Sequence, residues 1–247
     1  MEYQKNIIDY LMKHGYEALS LKAVLFDMDG VLFNSMPLHE ASWRQVGELY
    51  HLPVTAREVY QNEGRTGAST IRLLARQAWG RTPTPDEVDA IYSEKCRLFS
   101  ACPPPPPMPG AAALLAQVRR AGLSVYVVTG SGQHSLLNRL SGSFPGSFDA
   151  AHVISSKDVT HGKPSPEPYE RALLAADASP DEAIVVENAP LGVCSAVAAG
   201  IFTIAVNTGP LPDEDLYSAG ANLLLPSMQA LADAWPQFME TVRNVRC

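Results

Sequence analysis

From Gly110 onward, short apolar runs alternate with helical patterns, and this alternation constrains the fold more than any other feature of the chain. Ala111 to Ala121 has helical spacing and is closed by Gly122 in a C-cap position. Leu123 to Val128 follows as an apolar strand, and Ala151 to Ile154 as a shorter one. Glu167 to Ala176 is helical, Ala183 to Val186 a strand, and Leu191 to Ala199 a helix stopped by Gly200. Ile201 to Val206 and Ala221 to Leu225 add strands, and Met228 to Phe238 a final helix. Strands apolar on both faces and separated by helices indicate a parallel sheet covered on each side, an α/β core of Rossmann-like type. Ligands in such folds bind beyond the carboxyl ends of the strands. The polar residues that close these strands are therefore the candidates for chemistry.

The clearest of them lie after Ala23 to Phe26, an apolar strand that runs straight into Asp27-Met28-Asp29-Gly30. Residues at i and i+2 share a face of an extended segment, so both carboxylates can enter one small volume. Two like charges that close call for a cation or a shared proton. The pair suits a metal-assisted site in which one carboxylate attacks and the other handles protons. Taken alone, the same residues also describe an acidic, solvated turn. Two later strands end in a similar way, and a loop adds a third candidate. Val127-Val128 closes on Thr129-Gly130-Ser131-Gly132, a hydroxyl beside glycine-flanked N–H groups near an expected helix start, which can cradle an anion. Lys163 stands in Gly162-Lys163-Pro164-Ser165-Pro166-Glu167-Pro168, where an ammonium can neutralise developing negative charge. Ile184 to Val186 closes on Glu187-Asn188.

Between Leu32 and the proline run Cys102 to Pro109 the pattern is helical, with Met36 to Leu49, Thr70 to Trp79 and Asp86 to Phe99 at helical spacing. Thr84-Pro85-Asp86-Glu87 is a good helix start. The proline run favours extended polyproline II and reads as a connector rejoining the core rather than an SH3-type ligand. At the N-terminus, Met1 to Ser20 reads as an amphipathic helix with Ile7, Ile8, Leu11 and Met12 on one side, a packing extension of the core.

These motifs, in this order, resemble the haloacid dehalogenase-like (HAD) hydrolase superfamily. Asp27-Met28-Asp29-Gly30-Val31-Leu32 is similar to its first motif, Thr129 to its second, Lys163-Pro164 through Tyr169 to its third and Glu187-Asn188 to its fourth. The resemblance implies residues 1–35 and 103–247 as the α/β core, with 1–20 as a helical extension, and 36–102 as a small helical cap inserted after the first strand. It implies a two-step phosphoryl transfer. Asp27 forms an aspartyl phosphate, Asp29 serves as general acid and base, and Thr129 and Lys163 assist. Mg²⁺ is the implied cofactor, held by Asp27, the backbone carbonyl of Asp29, and Glu187 or Asn188. The family usually has a second acid where this chain has Asn188, so the site carries one negative charge fewer. Asp29 must be protonated for the first half-reaction, and drying of the site by the cap is expected to raise its pKa above the ~3.9 of a free aspartate.

Within the family the chain looks most like the beta-phosphoglucomutase-like and sugar-phosphatase branch. Gly130, Ser131, His39, Arg65 and Thr66 are the implied substrate contacts, with His39 orienting Asp29 or a substrate hydroxyl, or merely capping a helix. Lys95 is a looser match to a cap lysine of that branch. The mutases carry an arginine near the position of Gly67, so a phosphatase acting on a sugar phosphate or other small phosphorylated metabolite is expected ahead of a mutase. A catalytically reduced binding protein is the alternative of another class, and Asn188 is its support.

Composition narrows the partners. A net charge of −7 argues against nucleic acid. No run approaches the ~20 apolar residues of a membrane span, and the N-terminal stretch has no uninterrupted apolar segment of the secretory kind. The four cysteines form no metal-ligand spacing. A cytoplasmic enzyme, monomeric or weakly dimeric, is expected.

Overall fold

A computed structural model describes residues 3–132 and 136–247. The chain runs through α1 (Gln4–His14), β1 (Ala23–Phe26), α2 (Met36–Tyr50), α3 (Ala56–Gln61), α4 (Gly67–Trp79) and α5 (Pro85–Ser100). It continues through α6 (Ala111–Arg120), β2 (Ser124–Val128), α7 (Leu136–Ser143), β3 (Val153–Ile154), α8 (Glu167–Ala175) and β4 (Ala183–Glu187). The remaining elements are α9 (Pro190–Ala198), β5 (Phe202–Val206), α10 (Asp213–Ser218), β6 (Leu223–Leu225) and α11 (Met228–Asn244).

The six strands form one sheet in the order β3-β2-β1-β4-β5-β6, and every pairing is parallel. This bears out the α/β expectation. The four residues of β1 are fully buried, and it lies between β2 and β4, where the order of strands reverses. A crevice for ligands opens at such a switch point. One face of the sheet packs on α1, α6 and α11 through Phe26, Val186 and Phe202; the other packs on α8 and α9 through Leu25, Val185 and Tyr169. The helices α2, α4 and α5 enclose a separate apolar cluster around Val46, Ile71, Leu74 and Ile91.

Several boundaries differ from the sequence-based expectation. The N-terminal helix is shorter, and it buries Ile7, Tyr10 and Leu11 while Met12 is 71% exposed. Met12 lies one residue, about 100°, beyond Leu11, which turns it off the packed stripe. Residues 1–2 of the expected helix lie outside the described residues. The β3 strand begins only at Val153, because Asp149 caps a short 3₁₀ turn over Ala150–His152. The final helix runs past Phe238 to Asn244, since Met239 and Val242 continue its buried face. It tolerates Pro236 in its interior because the carbonyl that proline leaves free, that of Ala232, accepts from Gln117 Nε2 at 2.8 Å. The proline run docks on the segment leaving β1: Asn34 N donates to Pro106 O, Met108 N donates to Leu32 O, and Pro105 is buried. It fixes the path from α5 back to the sheet.

Candidate active site

Three strand ends and one loop converge beside the switch point. Asp27 follows β1, Thr129 follows β2, Glu187 ends β4, and Lys163 comes from the loop before α8; each is at most 5% exposed. Lys163 Nζ donates to Asp27 Oδ1 at 2.6 Å, to Glu187 Oε1 at 2.6 Å and to Val128 O at 2.9 Å. Burial pulls its pKa down, and the two carboxylates more than reverse that and hold it well above the ordinary lysine range. Asp27 is held well above the usual carboxylate range, first by burial and then by Glu187 and Asp29, with Lys163 opposing. Its Oδ2 is buried without a hydrogen-bond partner.

Glu187 is fully engaged. Oε1 accepts from Lys163 and, at 2.9 Å, from Tyr169 Oη; Oε2 accepts from the N–H groups of Asn188 and Ala189 at 3.0 and 3.2 Å. Asn188, by contrast, has a buried Oδ1 with no partner. Its amide nitrogen donates to both oxygens of Glu63, at 3.1 and 3.2 Å. Glu63 lies in the loop between α3 and α4, 9% exposed, and the expectation from sequence missed it. Burial, then Asp27, Glu187 and Asp29, push its carboxyl well above the ordinary range. The helical block thus returns a carboxylate to the place where Asn188 lacks one.

Asp29 sits in a different environment. Its Oδ1 accepts from Ser35 Oγ at 2.6 Å and faces His39 Nε2 at 3.2 Å, while His39 Nδ1 lies 2.8 Å from Lys95 Nζ. Burial opposes the Asp29 charge, but His39, Ser35 and Lys95 outweigh it and hold the carboxyl at about 2. The expected rise above the free aspartate value is therefore corrected to a fall. Burial in turn holds Lys95 down at about 8, and burial and Lys95 lower the imidazole of His39.

Asp27, Asp29, Thr129, Gly130, Ser131, His39 and Arg65 line one cavity, together with Glu63, Trp43, Tyr92 and Lys95. Thr129 Oγ1 accepts from Ser131 N at 3.0 Å, which shapes the turn after β2. Gly130 matters through what it lacks, since a Cβ there would press on the backbone of Gly64 and Arg65. A bare backbone lets the helical block close on the sheet. Arg65 reaches the cavity with its guanidinium on Asn62 and Ser69, at 3.2 and 3.4 Å. Thr66 lines an adjoining gap with Thr129, Gly130 and Lys163, and its hydroxyl caps α4 by accepting from Ser69 N at 3.3 Å. Residues 133–135, where a helix start was expected after Gly132, lie outside the described residues.

Among the described residues no three His, Cys, Asp or Glu side chains form a ready-made metal cage. The donor set is of another kind: acids on separate elements, a side-chain amide and backbone carbonyls. Such hard oxygen donors suit Mg²⁺, which keeps several waters. The unpartnered, buried Asp27 Oδ2 and Asn188 Oδ1, next to an excess of carboxylates, fit a cation at this point.

A model of the haloacid dehalogenase-like hydrolases matches residues 21–200. The chain belongs to this family. Within the HAD-like hydrolases, a solved Bacteroides vulgatus structure carrying a provisional beta-phosphoglucomutase assignment is 48% identical, with a TM-score of 0.95 over 98% of both chains. Escherichia coli hexitol phosphatase A is 31% identical over 75% of this chain and 83% of its own. Bacillus subtilis beta-phosphoglucomutase is 24% identical over 88% of this chain and 97% of its own. This HAD-like chain is an enzyme of the beta-phosphoglucomutase-like and sugar-phosphatase branch. Among its described residues no helix is long and apolar enough to cross a membrane.

Proposed function

We propose that the chain is a phosphatase of small phosphorylated metabolites, sugar phosphates included, working through an aspartyl phosphate on Asp27. The observation that carries this is the paired state of the two acids. Asp27 presents one oxygen held by Lys163 and one without a partner, while Asp29, two residues on, is tied to His39 and Ser35. One carboxylate is positioned to attack and the other to exchange protons.

Asp27, Asn188 and Glu63 would hold the cation, with the backbone carbonyl of Asp29; Glu187 instead orients Lys163 and caps the turn into α9. A bound Mg²⁺ supplies positive charge that favours ionised Asp27 and polarises the phosphoryl oxygens. Asp27 attacks phosphorus, and Lys163 and Thr129 stabilise the charge on the group in transit. Asp29 passes a proton to the leaving oxygen and later takes one from water. With Lys95 donating to His39 Nδ1, the imidazole proton sits on Nε2 and faces Asp29. Through that N–H, His39 donates to Asp29 and holds its carboxyl oriented for proton exchange with the leaving oxygen and with water. The carboxylate of Glu63 makes good the charge missing at Asn188, which removes the main support for a catalytically reduced protein.

The test is Mg²⁺-dependent phosphate release from compounds graded from inorganic pyrophosphate to hexose phosphates, with Asp27→Asn as the blank. Release that vanishes in the variant is the expected result. Conversion of β-glucose 1-phosphate to glucose 6-phosphate without net release would make the protein a mutase. Neither activity in folded protein would return the binding reading.

A further inference from the structure

One wall of the cavity is set by a contact between α4 and α5. Gly67 opens α4, and a Cβ built on it would overlap Cε2 and Cδ2 of Tyr92 in α5. Any side chain at position 67 must displace that ring. Tyr92 lines the cavity beside Gly67, Thr70 and Lys95. Its phenol lies against the Gly132 backbone and the Cys96 thiol, so the ring spans from the helical block to the loop after β2. Burial, then Cys96, holds the phenol up at about 12, so it brings bulk and no charge.

The neighbouring cations do not replace what is missing there. Lys95 Nζ is engaged with His39, and Arg65 is held by Asn62 and Ser69. Val54, Val59 and Leu74 line other parts of the same wall. The space left is about 80 Å³. Ordinary small-molecule sites measure roughly 300–1,000 Å³, so this one closes tightly around a short ligand.

We propose that Tyr92, seated on the bare backbone of Gly67, limits the size of the group attached to the transferred phosphoryl. The site then takes compact phosphorylated compounds and discriminates against hexose phosphates and bisphosphates. This rests on the phosphatase reading and narrows its substrate class. The ring excludes a large group by shape, and by filling the space beside Gly67 it leaves no room there for a cation to hold the far phosphoryl group of a sugar bisphosphate.

The experiment compares kcat/KM for inorganic pyrophosphate, phosphoglycolate, glycerol 3-phosphate and glucose 6-phosphate in the wild type, Tyr92→Phe and Tyr92→Ala. A pocket contact of this size discriminates by about 10–200-fold. The wild type is expected to favour the compact members. Tyr92→Ala should raise the ratio of glucose 6-phosphate to the best compact substrate by about tenfold or more. Tyr92→Phe, which keeps the ring, should hold the ratio within about twofold of the wild type. A structural role alone would lower every substrate together and leave the ratio fixed. Tyr92→Leu serves the same comparison if the alanine variant does not fold. An unmoved ratio in folded Tyr92→Ala or Tyr92→Leu overturns the inference alone. No phosphate release from any member by the wild type overturns the phosphatase reading and this inference with it.

Discussion

Lys163→Met removes the ammonium on which the buried carboxylates of the site depend. In the wild type that ammonium lies 2.6 Å from Asp27 Oδ1 and 2.6 Å from Glu187 Oε1, with all three side chains at most 5% exposed. Methionine retains the length and apolar stem of the side chain, so the packing change is small and the electrostatic change large. Leaving a buried charge without its partner costs about 3–5 kcal/mol. For a chain of this length each kcal/mol moves the melting midpoint by about 2–4 °C, so a fall of about 6–20 °C is expected. The assay is thermal unfolding followed by circular dichroism at neutral pH with a chelator present, so that no metal compensates. Adding Asp27→Asn to Lys163→Met removes one orphaned charge, and the double variant should regain about 0.5–3 kcal/mol relative to additivity. A midpoint within about 2 °C of the wild type would refute the reasoning, because the triad would then not be holding its charges as the geometry requires.

Three further outcomes are expected. Asp29→Asn should lower kcat by about 10²–10⁴-fold in phosphate-release assays; unchanged turnover would remove Asp29 from proton transfer. Glu63→Gln should raise the Mg²⁺ concentration for half-maximal activity by about tenfold or more, and raise the melting midpoint in chelator by removing a like charge; an unchanged Mg²⁺ requirement would exclude Glu63 from the metal site. Lys95 is held at about 8. Between that value and the ~10.4 of a free lysine the unfolded chain carries the extra proton, so stability rises with pH across this window, by on the order of 3 kcal/mol at most. Lys95→Met should flatten that rise in urea titrations, and parallel slopes in the two proteins would contradict the burial of a charged Lys95.

Much of this was legible in the sequence because strands buried on both faces have no polar interruptions. Ala23 to Phe26 and Ala183 to Val186 stand out as apolar runs, and the first polar residue after each one enters the crevice. The short helices α3 and α10 escaped, because six residues are too few to show a period. Glu63 escaped for a different reason. Nothing local distinguishes an acid in a loop from a solvated one, and only closure of the helical block onto the sheet brings it to Asn188. The signal that could have pointed to it was the charge deficit at Asn188, which called for a carboxylate elsewhere. The depression of Asp29 comes first from His39 and Ser35, which lie close to it in sequence, and last from Lys95, whose place beside them only the fold sets. Thr66 was ambiguous in the sequence, because a hydroxyl before a helix satisfies a cap as readily as a substrate.

The most direct measurement asks whether Asp27 itself becomes phosphorylated. Enzyme mixed with Mg²⁺ and its best substrate is quenched in acid within a single turnover, digested, and examined by mass spectrometry at the peptide carrying Asp27. A phosphoryl group on Asp27, accumulating further in Asp29→Asn as breakdown slows, is the expected result. No adduct at any time, together with inversion of configuration at phosphorus, would mean that water attacks the substrate directly and that Asp27 is not the nucleophile.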